Sequence, residues 1–117
     1  MNRRPNQAKV IYTETAKLYL KELIKILYQK DYFGYYESAR EYVLSLRKDM
    51  ETTIHIKQKY DVPFYFRRYG KNLYYVCYPK NKHTTWYFFF TYHPDSNIYF
   101  IRYITNNHVA GHLIGYR

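Results

Sequence analysis

Cysteine and long apolar runs are what this 117-residue sequence lacks most clearly. Its single cysteine, Cys77, excludes an intrachain disulfide and a zinc site held by paired cysteines, so a reducing compartment is expected. No stretch reaches the roughly eighteen consecutive apolar residues of a membrane-spanning helix, and the first twenty residues contain no unbroken apolar segment typical of a signal peptide. We therefore expect a cytoplasmic protein without a membrane partner.

Acidic residues are also scarce, since nine Asp and Glu stand against nineteen Lys and Arg and give a formal net charge of +10. The ratio of basic to acidic residues is highest in residues 61–117, which contain seven basic residues, four of the five histidines and only two acids, Asp61 and Asp95. Such a charge favours encounter with a polyanion: RNA, DNA, the ribosome or an acidic protein. The eighteen tyrosines are weaker evidence, because A/T-rich codons by themselves favour tyrosine. An anionic ligand is thus expected on the second half of the chain.

The first half of the sequence predicts one strand and two helices. Residues 9–12 are a short β-prone run, and Thr13 with the glutamate after it has the chemistry of a helix N-terminus. Apolar residues then recur at helical spacing over 14–30. A second apolar stripe, with a capping-box pattern that starts at Ser38, predicts a helix that begins there or a turn earlier and runs to about residue 59. Two consecutive helices of this kind are expected to form a hairpin.

In the second half the pattern changes to strands. Runs of aromatic and β-branched residues predict strands at 73–78, 84–92 and 98–105. Residues 63–70 are expected to be extended or irregular, and 1–7 and 106–117 to be tails. The predicted fold is therefore a single α+β domain over residues 1–117, in the order β-α-α-β-β-β, with the helical hairpin packed on an antiparallel sheet.

Several stretches of the chain carry a family resemblance. Val10–Leu27 has the pattern of an opening strand followed by an amphipathic helix. Arg68–Tyr75 has the pattern of an entry into the next strand. The last pair of strands is indicated by Thr85–Phe90 and Ile98–Asn107. In this order, and in a basic chain of this length, they resemble the RelE/ParE toxin superfamily. The resemblance covers nearly the whole chain and implies the fold described above.

The resemblance implies a toxin of a type II toxin–antitoxin pair, held in check by an acidic antitoxin protein. RelE-like members cleave mRNA on the ribosome without a metal, by attack of a ribose 2′-hydroxyl on the adjacent phosphate, whereas ParE-like members inhibit DNA gyrase. Ribosome-associated mRNA cleavage that inhibits translation is the leading expectation for this chain. Gyrase inhibition and a catalytically silent binding protein of the same fold are the alternatives. No cofactor or metal is expected.

Arg102, His108 and His112 are the candidate catalytic residues, because arginine can hold a phosphate oxygen and histidine can transfer a proton near neutral pH. Strict alternation along the strand predicts that Arg102 lies on the sheet face opposite the helices. The two histidines are four residues apart, but Gly111 disfavours a helical tail and no third metal ligand is identifiable. Solvated or simply hydrogen-bonded histidines are the competing interpretation.

The candidate residues for nucleic-acid binding are Arg67, Arg68, Lys71, Lys80 and Lys82. In an extended segment Arg67 and Arg68 point to opposite faces, and Arg68 is the one expected to face the site, although it could equally tie the hairpin to the sheet. The charged set that the family implies is incomplete here. RelE-like nucleases carry two arginines and a tyrosine at the positions that this chain fills with Thr85, Asn107 and Leu113.

Overall fold

The computed structural model describes residues 8–30 and 33–114, the last four of these by their backbone alone. Its elements run in the order β1 (Lys9–Tyr12), α1 (Glu14–Gln29), α2 (Tyr36–Thr53), β2 (Tyr60–Asp61), β3 (Tyr74–Asn81), β4 (Thr84–His93), β5 (Ile98–Asn106) and α3 (Asn107–Ile114). Two 3₁₀ turns, Ile54–Ile56 and Phe64–Tyr69, lie between α2 and β2 and between β2 and β3. The described residues thus form an α+β fold, as the sequence predicts.

The first helix begins where the sequence predicts. Thr13 is extended, and its Oγ1 accepts a hydrogen bond from the backbone N–H of Ala16 at 3.2 Å, which caps the first turn. One side of α1 is buried through Ala16, Leu20 and Leu23, the spacing that a single helix face requires. This face packs on the sheet beside the buried stripe of α2, so the predicted helical hairpin is confirmed.

The second helix begins before Ser38, as the prediction allowed, but its end differs from the prediction. It starts at Tyr36 without a side-chain cap, so Ser38 is not its N-cap. It ends at Thr53 rather than near residue 59, and the Thr53 hydroxyl donates to a backbone carbonyl one turn earlier. A threonine hydroxyl bonded back to the helix in this way weakens the helical hydrogen bond there. The chain tightens into the first 3₁₀ turn instead and then enters β2.

The five strands form one sheet in the order β1-β5-β4-β3-β2. Strands β3 to β5 are antiparallel, as predicted, and β2 adds a further antiparallel strand, but β1 pairs in parallel with β5, so the sheet is mixed. The unpredicted strand β2 explains the difference, because it reverses the chain once before β3. Strand β3 therefore runs in the direction of β1, and the two hairpins that follow make β5 parallel to β1.

Strand β3 is longer than predicted, because it continues through Pro79 to Asn81. Proline lacks the N–H that a ladder hydrogen bond needs, and it is tolerated at sheet edges and at bulges. Pro79 meets both conditions, since it lies past the two residues that β2 covers and beside a register shift. The turn between β3 and β4 is thereby reduced to Lys82 and His83.

Both faces of the sheet are covered. On the hairpin face, defined as the face against α1 and α2, alternate residues of β4 are buried, and the indole N–H of Trp86 donates to Tyr42 Oη at 2.9 Å. The intervening residues Tyr87 and Phe89 point to the opposite side, here called the second face. The buried residues that cover them there are Val62, Phe66, Leu73 and Ala110.

The segment predicted as a tail from residue 106 contains α3. Asn106 Oδ1 accepts hydrogen bonds from the backbone N–H groups of His108 and Val109, at 2.9 and 3.2 Å, and so caps this helix. Gly111 lies within α3, so the prediction that it would exclude a helix is wrong. The cap and the burial of Ala110 offset the cost of a helical glycine, which is about 1 kcal/mol. The tail predicted at 1–7 lies outside the described residues.

Candidate anion-binding site

A β-bulge determines the position of Arg102. Phe89 and Phe90 are consecutive in β4 but pair with Tyr103 and Ile101, which leaves Arg102 as an extra residue in β5. As a result Ile101 is buried on the hairpin face while Tyr103 packs on the second face. The strict alternation assumed from the sequence is therefore broken at this residue, although the arginine still contacts the second face.

Arg102 is half-buried between a hydroxyl and a glycine. Its Nε donates to Thr91 Oγ1 at 2.9 Å. A Cβ atom placed on Gly70 would lie 3.3 Å from Arg102 Cδ, so only a glycine lets the backbone pass this side chain without displacing it. Among the described residues, no carboxylate forms an ion pair with Arg102. A half-buried cation with a neutral partner is a favourable place for an anion.

An open cavity of about 510 Å³ adjoins this contact through Gly70. Its lining includes two cationic residues, Arg67 and Lys71, and one acidic residue, Asp61. The cavity opens between β2, the second 3₁₀ turn and the start of β3, all of which lie on or beside the second face. Arg102 thus approaches Gly70, and Gly70 lines the cavity together with Arg67 and Lys71; the three cationic residues are here called the cationic group.

The segment predicted to be extended or irregular contains the 3₁₀ turn Phe64–Tyr69, because the proline before it favours a turn over a paired strand. Arg67 and Arg68 consequently do not alternate between two faces of a strand. The Arg68 guanidinium lies 4.0 Å from the centre of the Tyr65 ring, and its Nε donates to Tyr65 O at 2.9 Å. Arg67 lies 5.6 Å from the Phe64 ring. Both arginines are exposed.

The three candidate lysines are not brought together. Lys71 lines the cavity. Lys80 faces the hairpin, where its Nζ pairs with Asp49 Oδ2 of α2 at 3.1 Å and only 19% of its side chain is exposed. Lys82 is exposed in the turn between β3 and β4, at the opposite end of these strands from the cavity. Of the three, only Lys71 lies with Arg102 and Arg67.

His108 and Arg102 lie at opposite ends of β4. His108 Nε2 is 3.0 Å from Thr84 Oγ1, whereas Arg102 is bonded to Thr91. These two threonines are seven residues apart in one strand, which corresponds to about 23 Å at about 3.3 Å per residue. A proton-transfer group must come within hydrogen-bonding distance of the proton it moves. In this arrangement Arg102 and His108 do not meet at one phosphate.

The third candidate catalytic residue, His112, belongs to α3, but its side chain lies outside the described residues. Within the described part of the chain, no group of three or more His, Cys, Asp or Glu could hold a metal ion. Of the helices in that part, none has the length and apolar character needed to cross a bilayer.

Two stacked tyrosines border the cations. The rings of Tyr69 and Tyr103 are 4.3 Å apart and 5° from parallel. Burial raises the pKa of the Tyr103 hydroxyl, and the neighbouring Tyr69 raises it further. Tyr103 therefore stays neutral near physiological pH and adds no negative charge beside the cationic group.

Three residues of this site were missed by the sequence reasoning. Gly70 was considered only as part of the entry into a strand, and Asp61 only as one of two acids in the second half. Thr91 directly follows the aromatic run 86–90 of β4 and lies on the second face. A polar residue at the end of an aromatic run is a signal that could have identified it. The contact between Gly70 and Arg102 had no local signal, because the two residues meet only through the tertiary fold.

Comparison of the chain with protein-family models, with curated proteins and with solved structures finds no match. Its function must therefore be inferred from its own residues and their geometry.

Proposed function

We propose that this protein is a growth-inhibiting toxin of the RelE/ParE type that binds the phosphates of ribosome-bound mRNA. The observation that carries the proposal is the half-buried Arg102 beside a cavity lined by Arg67 and Lys71. Among the described residues no carboxylate forms an ion pair with Arg102. The order of the elements and the sequence resemblance supply the class of toxin. A cytoplasmic location and an acidic antitoxin that covers these cations belong to the same proposal.

Arg102 is well suited to hold a phosphate. The hydrogen bond from its Nε to Thr91 fixes the plane of the guanidinium, whose two terminal nitrogens can then form the bidentate fork that matches phosphate oxygens. Half-burial lowers the local dielectric and strengthens this attraction relative to that of an exposed lysine. Arg67 and Lys71 add positive charge at the cavity next to it.

The distance between Arg102 and His108 bears on the reaction. RNA cleavage requires a proton acceptor beside the scissile phosphate, and of the residues that line the cavity Asp61 has the required chemistry. Gyrase inhibition of the ParE kind needs no proton acceptor. Because Arg102 and His108 are too far apart to act on one phosphate, gyrase inhibition is the second candidate function. A catalytically silent binding protein would present the same cations without arresting growth.

The proposal is tested by inducing expression of the wild type, Arg102→Gln and Lys25→Gln. We expect the wild type to arrest growth and Arg102→Gln to lose most of the effect, because glutamine can still reach Thr91 but carries no charge. Lys25 is an exposed lysine of α1, so Lys25→Gln controls for the loss of one positive charge and should remain toxic. Melting temperatures of the purified variants check that each one folds.

Primer extension on ribosome-bound mRNA and a gyrase supercoiling assay separate the candidate activities. Cuts in mRNA that disappear in Asp61→Asn but persist in His108→Gln would identify cleavage at the cavity. Blocked supercoiling without cuts would establish the gyrase alternative. Normal growth of cells that accumulate folded wild-type protein would contradict the toxin proposal itself.

A further inference from the structure

The 3₁₀ turn Phe64–Tyr69 displays its side chains with a period of three. A 3₁₀ helix has about three residues per turn, so residues three apart lie on the same side. Phe66 and Tyr69 share the inner side. Phe66 is 1% exposed with its ring 4.6 Å from that of Phe89, and Tyr69 stacks on Tyr103. This inner row anchors the turn to the second face.

The two outer rows each combine an aromatic ring with an arginine. Phe64 and Arg67 form one row, and Tyr65 and Arg68 form the other, with ring-to-guanidinium distances of 5.6 and 4.0 Å. Phe64 is 83% exposed, which leaves most of its ring open to solvent. Within the described residues neither arginine forms an ion pair. The turn therefore exposes aromatic surface and unneutralised positive charge at the same place.

We propose that these two rows bind single-stranded nucleic acid, with an unpaired base stacked on Phe64 and the flanking phosphates held by Arg67 and Arg68. Aromatic side chains combined with a cationic surface are how proteins bind single strands without reading their sequence. The phosphate groups of the strand would be the anionic partners of the two arginines. This interaction shares Arg67 with the proposed function and deepens it by naming single-stranded nucleic acid as the ligand, but it is tested without a ribosome or growth arrest.

The surroundings of the turn favour a single strand over other anions. Arg67 also lines the cavity that contains Lys71, so the cationic surface continues past the turn and can follow a chain of phosphates. The bases of a duplex are already stacked on one another and offer no free face to Phe64. An acidic peptide would satisfy the arginines but would leave the exposed ring without a stacking partner.

The test is fluorescence anisotropy with the purified full chain and a short labelled oligouridylate, beside an RNA duplex of matched length. We expect the single strand to bind more tightly than the duplex. Phe64→Ala and Phe64→Leu should each weaken binding by about tenfold or more, because both remove the stacking face, whereas Phe64→Trp should preserve it. Tyr35→Ala is the matched control, since Tyr35 is a 78% exposed aromatic residue at the start of α2.

Arg67→Gln and Arg68→Gln should each weaken binding and reduce its dependence on salt, because each removes one phosphate contact. Equal affinity for duplex and single strand would overturn the inference, and so would equal effects of Phe64→Ala and Tyr35→Ala. Displacement of the oligouridylate by polyglutamate at equal charge would show that an acidic chain is the better occupant. Single-strand binding by a protein that fails to arrest growth would leave this inference standing and remove the proposed function.

Discussion

The two faces of the sheet differ in how their polar side chains are satisfied. On the hairpin face these side chains bond to one another: Tyr12 Oη of β1 donates across the interface to Glu51 Oε2 of α2 at 2.5 Å, and Arg47 Nε of the same helix donates to the same oxygen at 2.8 Å. Burial and the Glu51 carboxylate raise the pKa of the Tyr12 hydroxyl well above its usual range, which keeps it a donor. On the second face, Arg102 is bonded to a neutral threonine, and the arginines of the 3₁₀ turn stack on exposed rings.

This difference separates structural from functional surface. A polar group whose partners lie within the fold stabilises the fold and has little left to offer a ligand. A cation without a carboxylate partner can still attract an anion. Leaving it without that partner costs stability, and folding alone does not require such an arrangement. We therefore expect the hairpin face to contribute mainly stability and the second face to be the surface used by the proposed binding.

The largest loss of stability should come from the core of the hairpin face. Leu46 in α2 is fully buried, so Leu46→Ala should lower the free energy of unfolding by about 3 kcal/mol, through lost burial and the cavity left behind. Leu44, two residues earlier and 42% exposed, is the matched control, and Leu44→Ala should cost less than about 1 kcal/mol. Urea titration measures both variants, and similar losses would contradict the assignment of the core.

A smaller effect should appear at high pH. Burial raises the pKa of the Tyr78 hydroxyl, which lies 3.0 Å from Thr53 Oγ1, to about 12. The folded chain therefore holds this proton at pH values where the unfolded chain has lost it. The stability contributed by neutral Tyr78 is complete below pH 10 and decreases as pH rises through about 12. The decrease amounts to roughly 2–3 kcal/mol, at about 1.4 kcal/mol per unit of pKa.

Tyr78→Phe should remove this part of the alkaline destabilisation. At pH 8 the variant should be less stable than the wild type, because it lacks the bond between the hydroxyl and Thr53. The difference should shrink or reverse toward pH 12. Unfolding measured by circular dichroism across this range is the test, and parallel stability curves for the two proteins would count against it.

The smallest effect should come from the cap of α3, beside the second face. Asn106→Ala removes the acceptor for the N–H groups of His108 and Val109 and should cost about 1 kcal/mol. Asn106→Asp keeps a capping oxygen and should recover most of the loss. Thermal unfolding of the two variants provides the comparison. If both lose the same stability, the side chain of Asn106 is not acting as a cap.

Much of the fold could be predicted where the signal is local. The Thr13 cap, the buried stripe of α1 and the strands near 84–92 and 98–105 follow from spacing and residue type within a few turns of chain. The end of α2 and the formation of α3 could not be predicted in the same way. They depend on whether Ile54 and Ala110 find buried positions on opposite faces of a sheet whose strands lie elsewhere in the chain.

The candidate site was predicted only as a set of residue types. The scarcity of acids beside the cations of residues 61–117 and the choice of Arg102 came from composition and spacing. Tertiary structure decided which of these cations meet, because the sheet register leaves Arg102 in a bulge against Gly70, turns Lys80 toward Asp49 and places His108 at the far end of β4. Periodicity and charge are local properties of a chain. Register and bulges depend on packing between side chains far apart in sequence, which no local pattern specifies.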